Sequence, residues 1–420
     1  MINYARLKKY LGHQYIWVNL LAFILPLLFK LTPLIIILFS VVVLVQARFR
    51  TEESFRENKV WGFGILYLLY LAGALWTTNT GQLFSELETK LAILIFPLLF
   101  MFTRPLPKVV LDKVLLNFVL GCLINCLLSS WQGYTCFRET GAIDCFYSSQ
   151  LSFSYHPSYL ALYLNLASAI LLYFDINKIF PYDIRPWMVR VLLWFFTVFT
   201  VFLASKMGLI GIGVVIAAYV FHYRRQLRLG IVAKTLLPMF LLLVGSLALS
   251  PATLLRFKTL GDTIKASSRN EVLMTKHVES SAARIEIWEI STEIGLAHFW
   301  TGLGTGDVSD HLTEKYKEKG MEEAAERQLN CHNQFFESFL AVGIAGLLCL
   351  LVIMGIAIYF GIRINSFIYL SFGLLCFCHF SVESMLETQS GVVFFAFFNS
   401  LFFVERNLVT DNESTDSSRS

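Results

Sequence analysis

The stretch CHNQFFESFLAVGIAGLLCLLVIMGIAIYF, residues 331–360, opens on three polar side chains and then runs apolar to its end. A helix needs about 20 mostly apolar residues to cross a bilayer. Residues 334–360 exceed that with Glu337 as their one charge, so the segment reads as a membrane span with a polar mouth. The same pattern recurs along the chain. Of its 420 residues 56% are hydrophobic and only 15% charged, with 38 phenylalanines. A soluble domain carries about 25% charged residues, which excludes an ordinary soluble enzyme. The net charge of +4 gives no basis for nucleic-acid binding. The N-terminus leads straight into apolar spans, so no removable signal peptide is expected.

The expected fold is therefore an all-α integral membrane protein. About twelve transmembrane helices are predicted, near 14–29, 32–47, 60–77, 90–103, 109–131, 157–174, 187–205, 207–222, 232–250, 334–360, 366–382 and 390–404. The seventh and eighth meet at Ser205-Lys206 and form a tight hairpin. Lys and Arg in short loops mark the cytoplasmic side. With the N-terminus inside, that side collects residues such as Lys8, Arg48, Arg50, Lys108, Arg185, Arg224 and Arg363. The short outer loops hold Lys30, Lys90, Arg138 and Lys206. Both termini are then cytoplasmic. Residues 1–404 form one membrane domain, 251–333 a large and partly helical outer loop, and 405–420 a disordered tail.

Within that loop, ARIEIWEISTEIGLAHFW (283–300) reads as an amphipathic helix with Ile285, Trp288, Ile294 and Leu296 among glutamates. TEKYKEKGMEEAAERQ (313–328) reads as a solvated helix broken at Gly320. The first part of the loop is basic and 285–331 acidic, a split suited to holding an anion near the membrane. Cys136 and Cys145 share the outer loop 132–156 and could pair if that side is oxidising. No cysteine or histidine spacing resembles a metal site.

Ionisable residues are scarce inside the spans, where a proton-coupled transporter would keep them. They gather at the predicted outer ends: His156, Lys206, Arg284, His332 beside Asn333, Glu383 and Glu387. Taken singly, each has a bland reading. His156 starts a helix, Lys206 keeps a turn in water, Arg284 lies on a surface, and Asn333 caps a helix. The glutamates end a span. GLGTGD (302–307) lacks the lysine of a phosphate loop and reads as a turn. Together they put cations, a glycine turn and a histidine on one membrane face.

In combination, ASKMGLIGI, ARIEIWEISTEIGLAHFWTGLGTGD and CHNQFFESFLAVGIAGLL resemble the O-antigen ligase and polysaccharide-polymerase family. That family shows a Ser-Arg-x-Gly turn, an Arg-x-x-x-Trp helix before a glycine turn, and His-Asn spaced from two glycines as His332-Asn333 is from Gly343 and Gly346. Its turn arginine is here Lys206, which keeps the charge but loses the planar fork. The resemblance implies a metal-independent, inverting glycosyltransferase with no cofactor in the bacterial inner membrane, its active site periplasmic. The donor would be a glycan on polyprenyl (undecaprenyl) diphosphate, and the acceptor lipid A-core. His332 would be the general base. Arg284, with Lys206, would stabilise the leaving diphosphate. Asn333, Glu383 and His156 would bind substrate or orient the histidine. A polymerase joining repeat units, a protein O-glycan ligase and, from another class, a polysaccharide transporter or flippase are the alternatives.

Overall fold

The computed structural model describes residues 14–48, 59–103, 106–248 and 281–406. The basic part of the predicted loop between 256 and 276, and the tail from 407, lie outside the described residues. Every described element is helical. In chain order they are α1 (Gln14–Ile24), α2 (Thr32–Arg48), α3 (Ile65–Gly73), α4 (Thr80–Lys90), α5 (Ala92–Phe102), α6 (Lys108–Thr140), α7 (Pro157–Asn177), α8 (Pro186–Phe202), α9 (Lys206–Tyr223), α10 (Leu237–Ala248), α11 (Ser281–Ala297), α12 (Val308–Glu318), α13 (Glu322–Glu326), α14 (Gln334–Arg363), α15 (Phe367–Phe380) and α16 (Gln389–Val404). By length and composition, five segments can cross a membrane: Phe29–Gln46, Lys108–Thr140, Pro157–Asn177, Lys206–Tyr223 and Gln334–Arg363. The other predicted spans are shorter apolar helices. At 1.5 Å per residue, helices of 10–17 residues fall short of the ~30 Å hydrocarbon layer.

Helix α7 is the centre of the fold. Its residues 157–175 are all buried, and it packs against α6, α8, α9 and α15. An apolar sequence on every face is what such a position requires. Pro157 opens it at the one helical position where a missing N–H costs nothing. The phenylalanine excess is used here. Tyr163 stacks on Phe394 at 4.8 Å, Phe118 meets Phe398 at 4.8 Å, and Phe372 meets Phe402 at 5.5 Å, locking α6, α7, α15 and α16. Offset and edge-on contacts of this kind add to simple burial. The cytoplasmic end predicted for α7 carries Asp175, which binds Arg190 at 3.0 Å and accepts from the Thr235 hydroxyl at 2.9 Å.

One break organises the opposite region. α14 departs from helical geometry at Val342 and Gly343, the latter at φ +67°. The break frees the carbonyls of Leu340 and Ala341, which accept from the N–H groups of Leu303 (2.7 Å) and Gly304 (3.1 Å). Ile344 in turn donates to the Phe299 carbonyl at 2.8 Å. The glycine turn 302–307 is thus a backbone clasp on α14. Beyond it, the Asp307 carboxylate accepts from the backbone of Thr78 (2.8 Å) and Asn79 (2.7 Å), tying the start of α4 to the same segment.

The helix over 283–300 is present as α11, with a different buried face. Ile287, Ile290, Ser291 and Ile294 face the core, whereas Leu296 is 64% exposed. The burial follows one stripe at helical spacing, and Leu296 falls off that stripe. The break expected at Gly320 separates α12 from α13, with Gly320 at φ +73°. The fourth predicted span begins too early. Lys90 ends the amphipathic helix α4 instead and is buried. Cys136 and Cys145 form a disulfide.

A side chain on Gly343 would place its Cβ 2.4 Å from the Trp300 carbonyl oxygen, at a φ that disfavours it. Gly343→Ala is therefore expected to cost about 2 kcal/mol or more. Gly355→Ala, in an open helical position, should be neutral or stabilising. Thermal melting of the two detergent-purified variants checks this, and equal midpoints would contradict it.

Candidate active site

Two residues one turn apart on α11 define the site. Arg284 donates from Nη1 to the Val382 carbonyl (2.8 Å) and from Nη2 to Glu383 Oε1 (3.0 Å). Trp288 Nε1 donates to the Cys331 carbonyl (3.0 Å). The Arg-x-x-x-Trp spacing thus grips, on one helix face, both the link between α15 and α16 and the residue before His332. Trp288 acts as the anchor of α11.

His332 stands in the turn before α14 with its backbone left-handed, at φ +47°. Asn330 Oδ1 accepts its N–H at 3.0 Å, and Glu337 Oε1 accepts the N–H of Cys331 at 2.7 Å. Imidazole Nδ1 faces Glu383 Oε2 at 3.7 Å, an electrostatic contact longer than a hydrogen bond. About a quarter of the His332 side chain and of the Arg284 side chain remains exposed.

Glu383 is the centre of this cluster. It is 8% exposed and also accepts from the Ser158 hydroxyl at 3.3 Å. Burial raises its pKa. The contact with His332 and the charges of Arg284, His332 and His156 outweigh burial and hold it at about 2. His156, exposed at the start of α7, accepts the N–H of Ser158 at its own Nδ1 (3.4 Å). Arg284, His332, His156 and Glu383 are thereby gathered from segments far apart in the chain.

Asn333 is fully engaged. Its Oδ1 caps α14 by accepting from Phe335 (2.9 Å) and Phe336 (3.3 Å). Its Nδ2 donates to the Ser381 carbonyl (2.9 Å), and its own N–H to Ser384 Oγ (3.1 Å). It holds His332 next to Glu383 by joining the two segments. Lys206 begins α9 behind the Ser205 cap. That end docks on α7, where Asn165 Nδ2 donates to the Gly208 carbonyl at 2.9 Å.

A second polar group joins Lys90 and Glu387, which the sequence marks only as separate outer-side charges. Lys90 is buried between Glu86 and Glu387, 2.6 Å from the latter, with Tyr70 beneath it at 5.3 Å. Gln334 donates to Glu387 (3.1 Å) and accepts from the Leu386 N–H (2.6 Å). A cavity of about 210 Å³ lies against Tyr70, Glu86, Lys90 and Glu387, bordered also by Asn330 and Glu337. The i,i+4 spacing of Glu86 and Lys90 was the available signal. Ser158 gave none.

The described geometry is accompanied by a family match. Residues 191–351 match the model described as O-antigen ligase, Wzy_C. The match spans Lys206, Arg284, His332 and Asn333 and bears out the resemblance. It supports a membrane protein of ligase or polymerase type. No curated protein matches the chain.

The folded Glu383 pKa of about 2 lies below its ordinary 4.5. Its ionised form therefore stabilises the fold fully above about pH 4.5, and this stability is lost as the pH falls toward 2. The difference corresponds to something on the order of 3 kcal/mol. The melting temperature of the wild type should fall more steeply over that interval than that of Glu383→Gln. Parallel curves would show that Glu383 is not held ionised by its neighbours.

Proposed function

We propose, from the O-antigen ligase match over 191–351, that this protein transfers a glycan from a polyprenyl diphosphate to an acceptor hydroxyl, lipid A-core being the leading acceptor. The observation that carries the reading is the convergence of Arg284 and His332 on Glu383, with part of each of the two side chains open to a substrate.

The chemistry follows from the residues. Glu383 holds Nδ1 of His332, which leaves Nε2 to take the proton from the acceptor hydroxyl. The acceptor oxygen forms its bond to the anomeric carbon as the bond from that carbon to the diphosphate oxygen breaks. A single displacement of this kind inverts the anomeric centre. Negative charge grows on the departing diphosphate, where Arg284 and Lys206 provide fixed positive charge. Arg284 spends two of its five N–H donors on Val382 and Glu383, so it is held in place with donors to spare. His156 borders the cluster and contacts the substrate from the start of α7. Glu383 and Asn333 position His332.

The membrane arrangement belongs to the same reading: twelve crossings in the bacterial inner membrane, both termini cytoplasmic, 1–404 as one domain and 405–420 as a tail. The 251–333 loop and the site lie on the periplasmic face. The Lys/Arg asymmetry supports this orientation. So does the Cys136–Cys145 disulfide, since such bonds persist in oxidising compartments.

His332→Ala and Arg284→Ala are each expected to lower glycan transfer by about 10²-fold or more while accumulating in the membrane like the wild type. Lys206→Arg should keep most activity, and Lys206→Ala should lose it. The assay is transfer from a purified lipid-linked glycan by the protein alone. Unimpaired transfer by both alanine variants would sink the roles given to Arg284 and His332, and no transfer by the wild type would sink the proposal. Deletion of the gene separates the acceptors: a ligase loss accumulates long lipid-linked glycan, and a polymerase loss leaves single repeats.

A further inference from the structure

We infer that the cavity floored by Tyr70, Lys90 and Glu337 is a subsite for one sugar ring of the acceptor, a ring that is uncharged or bears an amine. The inference rests on the glycosyl-transfer reading and adds to it where the acceptor sits.

The space and its chemistry point the same way. Pockets for drug-sized ligands occupy about 300–1,000 Å³. The cavity, at about 210 Å³, has room for a single ring. Tyr70, Lys90 and Glu337 are buried at its floor, whereas Gln82 and Ser309 are half-buried and Gln328 is exposed at its mouth. Sugar hydroxyls both donate and accept. The carboxyl groups of Glu86, Glu337 and Glu387 accept, and the amides of Gln82, Gln328 and Asn330 do both.

The charge pattern excludes the diphosphate from this space. Among the described residues Lys90 is the one cation lining the cavity, and Glu86 and Glu387 enclose its ammonium. Among the described residues, a phosphate entering would meet three carboxyl groups and no uncommitted positive charge. The donor's anionic end therefore belongs with Arg284, and a neutral or amino sugar belongs here.

The cavity is also wired to the proposed base. Asn330 lines it and accepts the N–H of His332; Glu337 lines it and accepts the N–H of Cys331. Asn330 of this turn thus faces the cavity, while 332 and 333 are held by Glu383 and Ser384. The cavity and the proposed base thus meet at one turn, through the Asn330 side chain and the His332 backbone.

The test uses the full-length protein in detergent micelles and saturation-transfer difference NMR. The probes are methyl β-D-glucoside, methyl β-D-galactoside, N-acetyl-D-glucosamine and D-glucosamine. Wild type and His332→Ala should both saturate at least one probe. Gln82→Leu and Ser309→Leu, which line the mouth with hydrocarbon, should each lose about fivefold or more of that signal. In the transfer assay the same two variants should raise KM for the acceptor about tenfold with kcat little changed, whereas His332→Ala lowers kcat. Two substitutions guard against one that merely misfolds, and melting curves identify it. Absence of signal with every probe, or signal unchanged in both mouth variants, would overturn the subsite. If the mouth variants lose the saturation signal but the wild type itself transfers no lipid-linked glycan, the subsite stands as a sugar site and the glycosyl-transfer reading fails.

Discussion

The rest of the site depends on a helix that is interrupted. At Val342–Gly343 the carbonyls of Leu340 and Ala341 lose their helical donors, and buried carbonyls without partners are costly. The backbone of Leu303 and Gly304 satisfies them, and Ile344 returns a hydrogen bond to Phe299. The approach is close enough that a Cβ on Gly302 would lie 2.6 Å from the Gly343 nitrogen. Glycine is needed on both sides of this contact for the same steric reason. The contact fixes the C-terminal end of α11 against α14, and so sets where Arg284 and Trp288 can reach.

The site itself is a problem in buried charge. Taking a carboxylate out of water costs several kcal/mol unless cations and donors surround it. Glu383 is surrounded by Arg284, His332, His156 and Ser158. In return the carboxylate holds Arg284 and the His332 imidazole in fixed positions, which in the proposed function would set a proton acceptor beside a leaving-group clamp. Lys90 repeats the arrangement with the signs reversed, as one ammonium among carboxyl groups. The two clusters share the turn 330–333. One is suited to an anion and the other to hydroxyl groups.

Much of this was legible in the residues. Apolar run lengths marked the helices, and the segment over 334–360 is α14. The spacing of Arg284 to Trp288, the glycine turn and His332-Asn333 mark the segments that meet in the candidate site. Other features were not legible. GLGTGD carries no sign that its amides serve the carbonyls of another helix. Asn333 looks the same as a cap or as a substrate ligand, and only its four hydrogen bonds assign it to holding the segments together. Lys90 read as a charge in an outer loop, because nothing local reveals a carboxylate 297 residues away.

The sequence by itself determined the helical class, the membrane character and the short list of polar residues, since these rest on composition and on contacts within a turn or two. The tertiary structure decided which of those residues meet. Glu383 lies 99 residues from Arg284 and 225 from Ser158. A local pattern carries no record of such a pairing. It exists because helices that must bury their apolar faces around α7 bring these chain segments to one place, where an ionised carboxylate needs partners.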